Sequence, residues 1–171
     1  MNYARMEEQL MLHEGLRLKP YLDTEGNWTV GVGYNIDGRG WEFFEQTVLR
    51  RCRPVDGAGT ETARVTKEES LKVLRADIKR VEKAVRTYYP GYDSLGDVRQ
   101  RVFVDMSFNM GFKALGFKNA IAAAKKNDWS ACAREVWKSK WAGQVGDGPG
   151  QKEDRADRLT KMLLTNIDYT K

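Results

Sequence analysis

Apolar residues recur along this chain in two rhythms. Tyr3, Met6, Leu10 and His13 fall three and four apart, which predicts a helix over residues 3–13 with one semi-apolar face. Gly15 stands where that helix would stop, because glycine accepts the left-handed conformation of a C-terminal cap. From Asn27 the rhythm shortens to two. Trp28, Val30, Val32, Tyr34 and Ile36 alternate with Thr29, Gly31, Gly33 and Asn35, the pattern of one strand. Asp23-Thr24-Glu25-Gly26 supplies turn chemistry just ahead of it, so a small antiparallel hairpin is expected. The glycines on its small-residue face leave room for something large to approach the backbone.

Further along, residues 41–51 read as a short helix and residues 54–59, which include Pro54, Gly57 and Gly59, as a loop. Thr66 followed by Glu69 forms a capping box. Leu71, Leu74, Ile78, Val81 and Val85 then mark a long amphipathic helix over 66–88, ending at Tyr88-Tyr89-Pro90-Gly91. Beyond Asp93 every segment reads as helix. Leu95, Val98, Val102, Met106 and Met110 make one stripe, stopped by Gly111. A shorter helix follows Phe117, Asp128 caps another over 129–141, and after a glycine-rich loop over 143–150 a last one carries Ala156, Leu159 and Leu163. The expected fold is α+β and mostly helical, with one small sheet near the amino end.

The 171 residues suit one domain or two small lobes, and 41% hydrophobic content with 31% charge is that of an ordered globular chain. No apolar run approaches the roughly 20 residues of a membrane span. Residues 1–9 are polar and lack the apolar core of a secretory signal, so folding in a cytoplasm is expected. The net charge of +5 favours anionic partners without choosing among nucleic acid, anionic membrane and charged wall polymer. Cys52 and Cys132 lie far apart and His13 is the only histidine, so neither a zinc site nor a cysteine protease is expected.

Two carboxylates stand at the helix-to-strand junction. The dipole and unpaired carbonyls of a helix end disfavour negative charge at Glu14, which suits a group that must hold a proton. Paired carboxylates at a rigid junction are what acid/base cleavage of a glycosidic bond requires. Each also has an ordinary reading: Glu14 as a glutamate in a last helical turn, Asp23 as a turn residue bonding nearby amides.

The ordered run Glu14-Gly15-Leu16-Arg17-Leu18, Tyr21, Asp23-Thr24-Glu25-Gly26 and Thr29-Val30-Gly31-Val32-Gly33 resembles the catalytic segment of the phage-type lysozymes, the endolysins of glycoside hydrolase family 24. The likeness continues in order through Asp93-Ser94-Leu95, Val98-Arg99, residues 106–111, Gly116-Phe117-Lys118-Asn119, Lys138-Ser139-Lys140-Trp141 and Arg155-Ala156-Asp157-Arg158. It implies a lysozyme-like two-lobed fold over 1–171. One lobe, about 14–65, holds the small N-terminal sheet; the other, 1–13 plus 90–171, is a C-terminal helical lobe; helix 66–88 connects them.

By that resemblance Glu14 is the proton donor, Asp23 and Thr29 orient and activate water on the far face of the sugar, and Arg155 approaches and holds Glu14. Asn35, Phe108 and Asn109 fall on the substrate cleft, although Phe108 reads equally well as core and Trp141 reads as core. There are departures. Tyr34 stands where relatives often carry histidine, so an ion pair from that position is absent. Asn35 replaces an apolar residue, and Ala120 and Glu135 fall where polar substrate contacts are expected.

The implied activity is an inverting muramidase that hydrolyses the β-1,4 bond between N-acetylmuramic acid and N-acetylglucosamine in peptidoglycan, for host cell lysis. It would act as a monomer with no cofactor or metal, no nucleic-acid partner and no stable membrane insertion. Made in the host cytoplasm without a signal peptide, it would reach the periplasmic wall through a holin-type pore. Two alternatives stay open: a lytic transglycosylase on the same bond, and a non-catalytic basic helical module binding glycan or nucleic acid.

Overall fold

The computed structural model describes residues 1–53, 59–111, 116–145 and 153–170. It is mostly helical, with a small antiparallel sheet near the amino end, as the rhythm of apolar positions predicts. The chain divides into two compact units, Tyr3–Lys79 and Met1–Asn2 with Arg80–Lys171. The division falls inside one long helix. Among the described residues no helix is long and apolar enough to cross a membrane.

The first unit opens with α1 (Tyr3–Glu14), whose Met6 and Leu10 are fully buried. Three strands follow in the order β1 (Arg17–Leu22), β2 (Trp28–Gly31) and β3 (Tyr34–Asn35), each antiparallel to the next. The expected single strand over 28–36 is therefore two. Gly31 (φ +67°) and Gly33 (φ +64°) are both left-handed, which turns the chain around Val32, and Ile36 instead begins the short α2 (Ile36–Arg39). The β1–β2 register slips between Arg17 and Tyr21, where Pro20 has no N–H to offer a ladder.

The short helix expected at 41–51 is narrower, α3 (Glu42–Val48). It ends because Leu49 turns left-handed (φ +59°) and the Glu45 carboxylate accepts the backbone N–H groups of Cys52 and Arg53 instead. The loop expected at 54–59 lies outside the described residues except for Gly59. Val30, Tyr34, Ile36, Trp41, Phe44, Val65 and Val73 form this unit's core, with Trp28, Phe43 and Val48 packed against it.

The capping box forms as predicted: Thr66 N–H donates to Glu69 Oε2 (2.7 Å) and Glu69 N–H to Thr66 Oγ1 (3.1 Å). It opens α4 (Lys67–Tyr88), which carries the chain from the first unit into the second. There α5 (Asp97–Met110) is buried on all sides from Gln100 to Ser107, so its polar members must be paired. Arg101 bonds Asp97 and Asp168, and Gln100 donates to the Tyr92 carbonyl.

Then come α6 (Lys118–Lys125), α7 (Trp129–Trp137), α8 (Lys140–Val145) and α9 (Arg155–Thr165), with α6 against α7 and α9 against α5, α7 and α8. Asp128 caps α7 by accepting from Ala131 N–H. The helix expected over 129–141 is broken, because Ser139 Oγ donates to the Val136 carbonyl (2.6 Å) and accepts from Ala142 N–H (3.2 Å), starting a new helix. Gly143 belongs to α8, while residues 146–150 of the expected loop lie outside the described residues. Both cysteines are free and buried, and burial pushes the Cys132 thiol up to about 12.

Candidate active site

Glu14 is the last residue of α1. Gly15 (φ +73°) returns its N–H to the Met11 carbonyl at 3.0 Å and ends the helix there. The partly buried Glu14 side chain passes beside the hairpin turn. An ideal Cβ on Gly33 would stand 2.9 Å from its Oε2.

Asp23 opens the turn between β1 and β2. Its N–H donates to the Asn27 carbonyl (2.9 Å), and Gly26, at φ +83°, donates back to the Asp23 carbonyl (3.0 Å). The Asp23 Oδ1 accepts from the N–H groups of Glu25 (2.9 Å) and Asn27 (2.8 Å), while Oδ2 receives only a 3.3 Å contact from Asn27 Nδ2. The turn thus holds the carboxylate by one oxygen and leaves acceptor capacity on the other. The Asn27 amide, with the other donors of the turn, keeps the Asp23 carboxyl below the ordinary aspartate value of 3.8. The ordinary role foreseen for Asp23, bonding nearby amides, is realised and is compatible with chemistry at Oδ2.

Thr29 sits in β2, the middle strand, between Tyr21 on β1 and Asn35 on β3. It is 4% exposed, and its hydroxyl makes one long bond, 3.4 Å, to the Asn27 carbonyl. Tyr21 links these groups. Its ring lies under the Arg17 guanidinium, 4.2 Å from Cζ to centroid. Burial pushes the Tyr21 hydroxyl up; Arg17 opposes this, and the negative charges of Glu14 and Asp23 both add to it. One tyrosine therefore feels both carboxylates. Sequence reading had placed Tyr21 only as part of a motif; its position two residues before Asp23, opposite Thr29, was the available signal.

The Phage lysozyme family profile matches residues 11–158, nearly the whole chain. The chain belongs to the phage lysozyme family. It is 27% identical over 165 residues to the pre-baseplate central spike protein Gp5 of Enterobacteria phage T4, covering 94% of this chain but only 28% of that relative. "Probable T4-type lysozyme 1" of Dictyostelium discoideum is 26% identical over 171 residues, with 95% of each chain covered. "Probable T4-type lysozyme 2" of the same organism is 25% identical, covering 83% of this chain and 87% of its own.

The other residues singled out by the resemblance are placed as follows. Asn35 shares the first unit with Glu14, Asp23 and Thr29, and its Oδ1 caps α2 by accepting from Gly38 N–H (2.6 Å). The Tyr34 hydroxyl donates to the Gly40 carbonyl (2.9 Å), and Arg39 stacks over the ring at 4.3 Å. Arg39 in turn makes a bidentate pair with Asp77, at 2.6 and 2.7 Å. An ion pair is thus present beside position 34, made by a different residue.

Phe108, Asn109 and Arg155 belong to the helical unit. Arg155 is buried and donates from Nε to Asp105 Oδ1 at 2.8 Å, a partner the sequence did not reveal. Phe108 is half-buried. Asn109 is exposed, and its Oδ1 accepts from Trp141 Nε1 (2.9 Å), leaving the amide NH₂ pointed elsewhere. Trp141 is core, at 4% exposure, as its sequence context suggested. Its edge, with Phe117, Lys118, Ala120, Glu135 and Lys140, nevertheless lines an open groove of about 550 Å³.

Proposed function

We propose that the protein is a lysozyme of the muramidase type, hydrolysing the β-1,4 bond between N-acetylmuramic acid and N-acetylglucosamine in peptidoglycan. The observation that carries this reading is that one unit holds Glu14 beside the Gly31–Gly33 turn, Asp23 in the turn between β1 and β2, and Thr29 opposite Tyr21, in a chain of the phage lysozyme family. Glu14, at a helix end, is the proton donor to the leaving oxygen. Asp23, held ionised by its turn, accepts a proton from the attacking water through Oδ2, and Thr29 fixes that water by its hydroxyl. Attack from the face opposite the acid inverts the anomeric carbon.

Asn35, Phe108, Asn109 and Arg155 enter the proposal through the family resemblance, as cleft and supporting residues. The groove beside Phe117 and Trp141, with Lys118, Glu135 and Lys140 at its rim, suits a glycan bearing charged peptide stems. The basic surplus of +5 aids approach to an anionic wall and loses its effect at high salt. Host cell lysis by a monomer, delivered from the cytoplasm through a holin-type pore, is the use this chemistry fits.

The test is turbidity clearing of bacteria with a permeabilised outer membrane. Glu14→Gln and Asp23→Asn are expected to clear at least about 100-fold more slowly than the parent while unfolding at a similar temperature. Clearing by Glu14→Gln at the parental rate would reject the mechanism.

A further inference from the structure

We propose that Gly33 is a positioning residue for the Glu14 carboxylate: the side chain it lacks is the space in which that carboxylate lies. This rests on the reading of Glu14 as the acid of a muramidase. An ideal Cβ on Gly33 would stand 2.9 Å from Glu14 Oε2, 3.2 Å from Cδ and 3.3 Å from Cγ. The contact runs along the outer half of the side chain, so turning the tip alone would not relieve it. Ordinary contact begins near 3.4 Å, so the carboxylate would retreat by about half an ångström or more.

The turn supplies its own comparison. Gly31 and Gly33 flank Val32 with nearly equal left-handed φ, +67° and +64°. A Cβ on Gly31 would meet Ser70 of α4 instead, with Oγ at 3.2 Å and Cβ at 3.3 Å. Gly15 and Gly26, also left-handed, would meet nothing within 4 Å. Among the described glycines, crowding against the candidate acid is therefore specific to Gly33. The sequence pattern suggested that these glycines admit something large to the backbone. At Gly33 the visitor is the chain's own Glu14, and at Gly31 it is a helix.

A general acid acts only within hydrogen-bond reach of the leaving oxygen. A displacement of about 1 Å from productive geometry costs on the order of 100-fold in rate. Filling the space at Gly33 should therefore lower kcat and leave KM nearly alone, since it disturbs the proton donor and not the saccharide contacts.

The experiment measures kcat and KM on purified peptidoglycan, by released reducing ends, together with thermal midpoints. The variants are Gly33→Ala, Gly33→Asn, Gly31→Ala and Glu14→Gln. Asparagine tolerates the left-handed region better than other side chains, so Gly33→Asn carries a Cβ with the least backbone strain. The expected result is a fall in kcat of at least about tenfold in both Gly33 variants, with KM within about twofold of the parent. Gly31→Ala should lose thermal stability comparably to Gly33→Ala and keep kcat within about twofold of the parent. Parental kcat in Gly33→Asn beside an inactive Glu14→Gln would overturn the inference and leave the muramidase reading standing. Equal kcat losses in Gly31→Ala and Gly33→Ala would also overturn it, as a general distortion of the turn. An active Glu14→Gln would remove the reading on which it rests.

Discussion

The two units of this chain hold their charges differently. In the unit of residues 3–79 the ion pairs sit at margins. Arg39 is 26% exposed where it meets Asp77, and Arg50 is 47% exposed where it meets Glu69. The helical unit also has exposed pairs, such as Lys161–Glu153, but it alone among the described residues buries both members of a pair, with Arg155 and Asp105 at 7% and 0%, and it buries Arg101 at 1%. The candidate catalytic carboxylates lie in the first unit and are placed by short-range devices: a helix end with Gly15, a turn closed by Asn27, and the space over Gly33. The helical unit is organised by pairs across long sequence separations around α5. A change in the first unit should therefore act on chemistry before folding, and a change in the second on folding before chemistry.

The largest effect should come from Asp105→Ala, which removes the 2.8 Å carboxylate acceptor of the buried Arg155. Removing one member of a buried pair costs about 3–5 kcal/mol, to be read by urea unfolding of the whole chain. A loss below about 1 kcal/mol would break the contrast between interior and marginal charges. Asp77→Ala should cost less, about 1–2 kcal/mol, because Arg39 can rehydrate and keeps its stacking on Tyr34 and Phe43. Equal losses in the two variants would erase the distinction.

The smallest effect concerns Glu69, which Arg50 holds down to about 2, below its ordinary 4.5. A depressed carboxyl stabilises the fold above its unfolded value and loses that contribution as pH falls through its folded one. Glu69→Gln should therefore be about 1 kcal/mol less stable at pH 7, given the exposure of Arg50. The gap should narrow between pH 4.5 and about 2. A gap unchanged by acid would mean that the Arg50–Glu69 pair contributes nothing.

Local signals were legible in the sequence, and mutual adjustment was not. The Thr66 capping box, the Gly15 stop, the Asp23–Gly26 turn and the α5 stripe each depend on residues within a few positions of one another. The strand over 28–36 failed because alternation cannot show that Gly31 and Gly33 both turn left-handed. The helix over 129–141 failed because a serine at 139 prefers to bond the backbone and restart the helix. Family resemblance named Arg155, but the Asp105 that pairs with it lies 50 residues away with nothing local to mark it. Asn35 read as a cleft residue, and its side-chain Oδ1 is engaged as a helix cap.

The central claim is that Glu14 donates a proton while Asp23 and Thr29 direct water to the opposite face of the sugar. It is tested most directly by proton NMR of the first reducing ends released from a soluble peptidoglycan oligosaccharide, recorded before mutarotation. The account predicts the α-anomer of N-acetylmuramic acid first, and no signal when Glu14→Gln replaces the parent. The β-anomer first, or a 1,6-anhydro end with no water added, would contradict it.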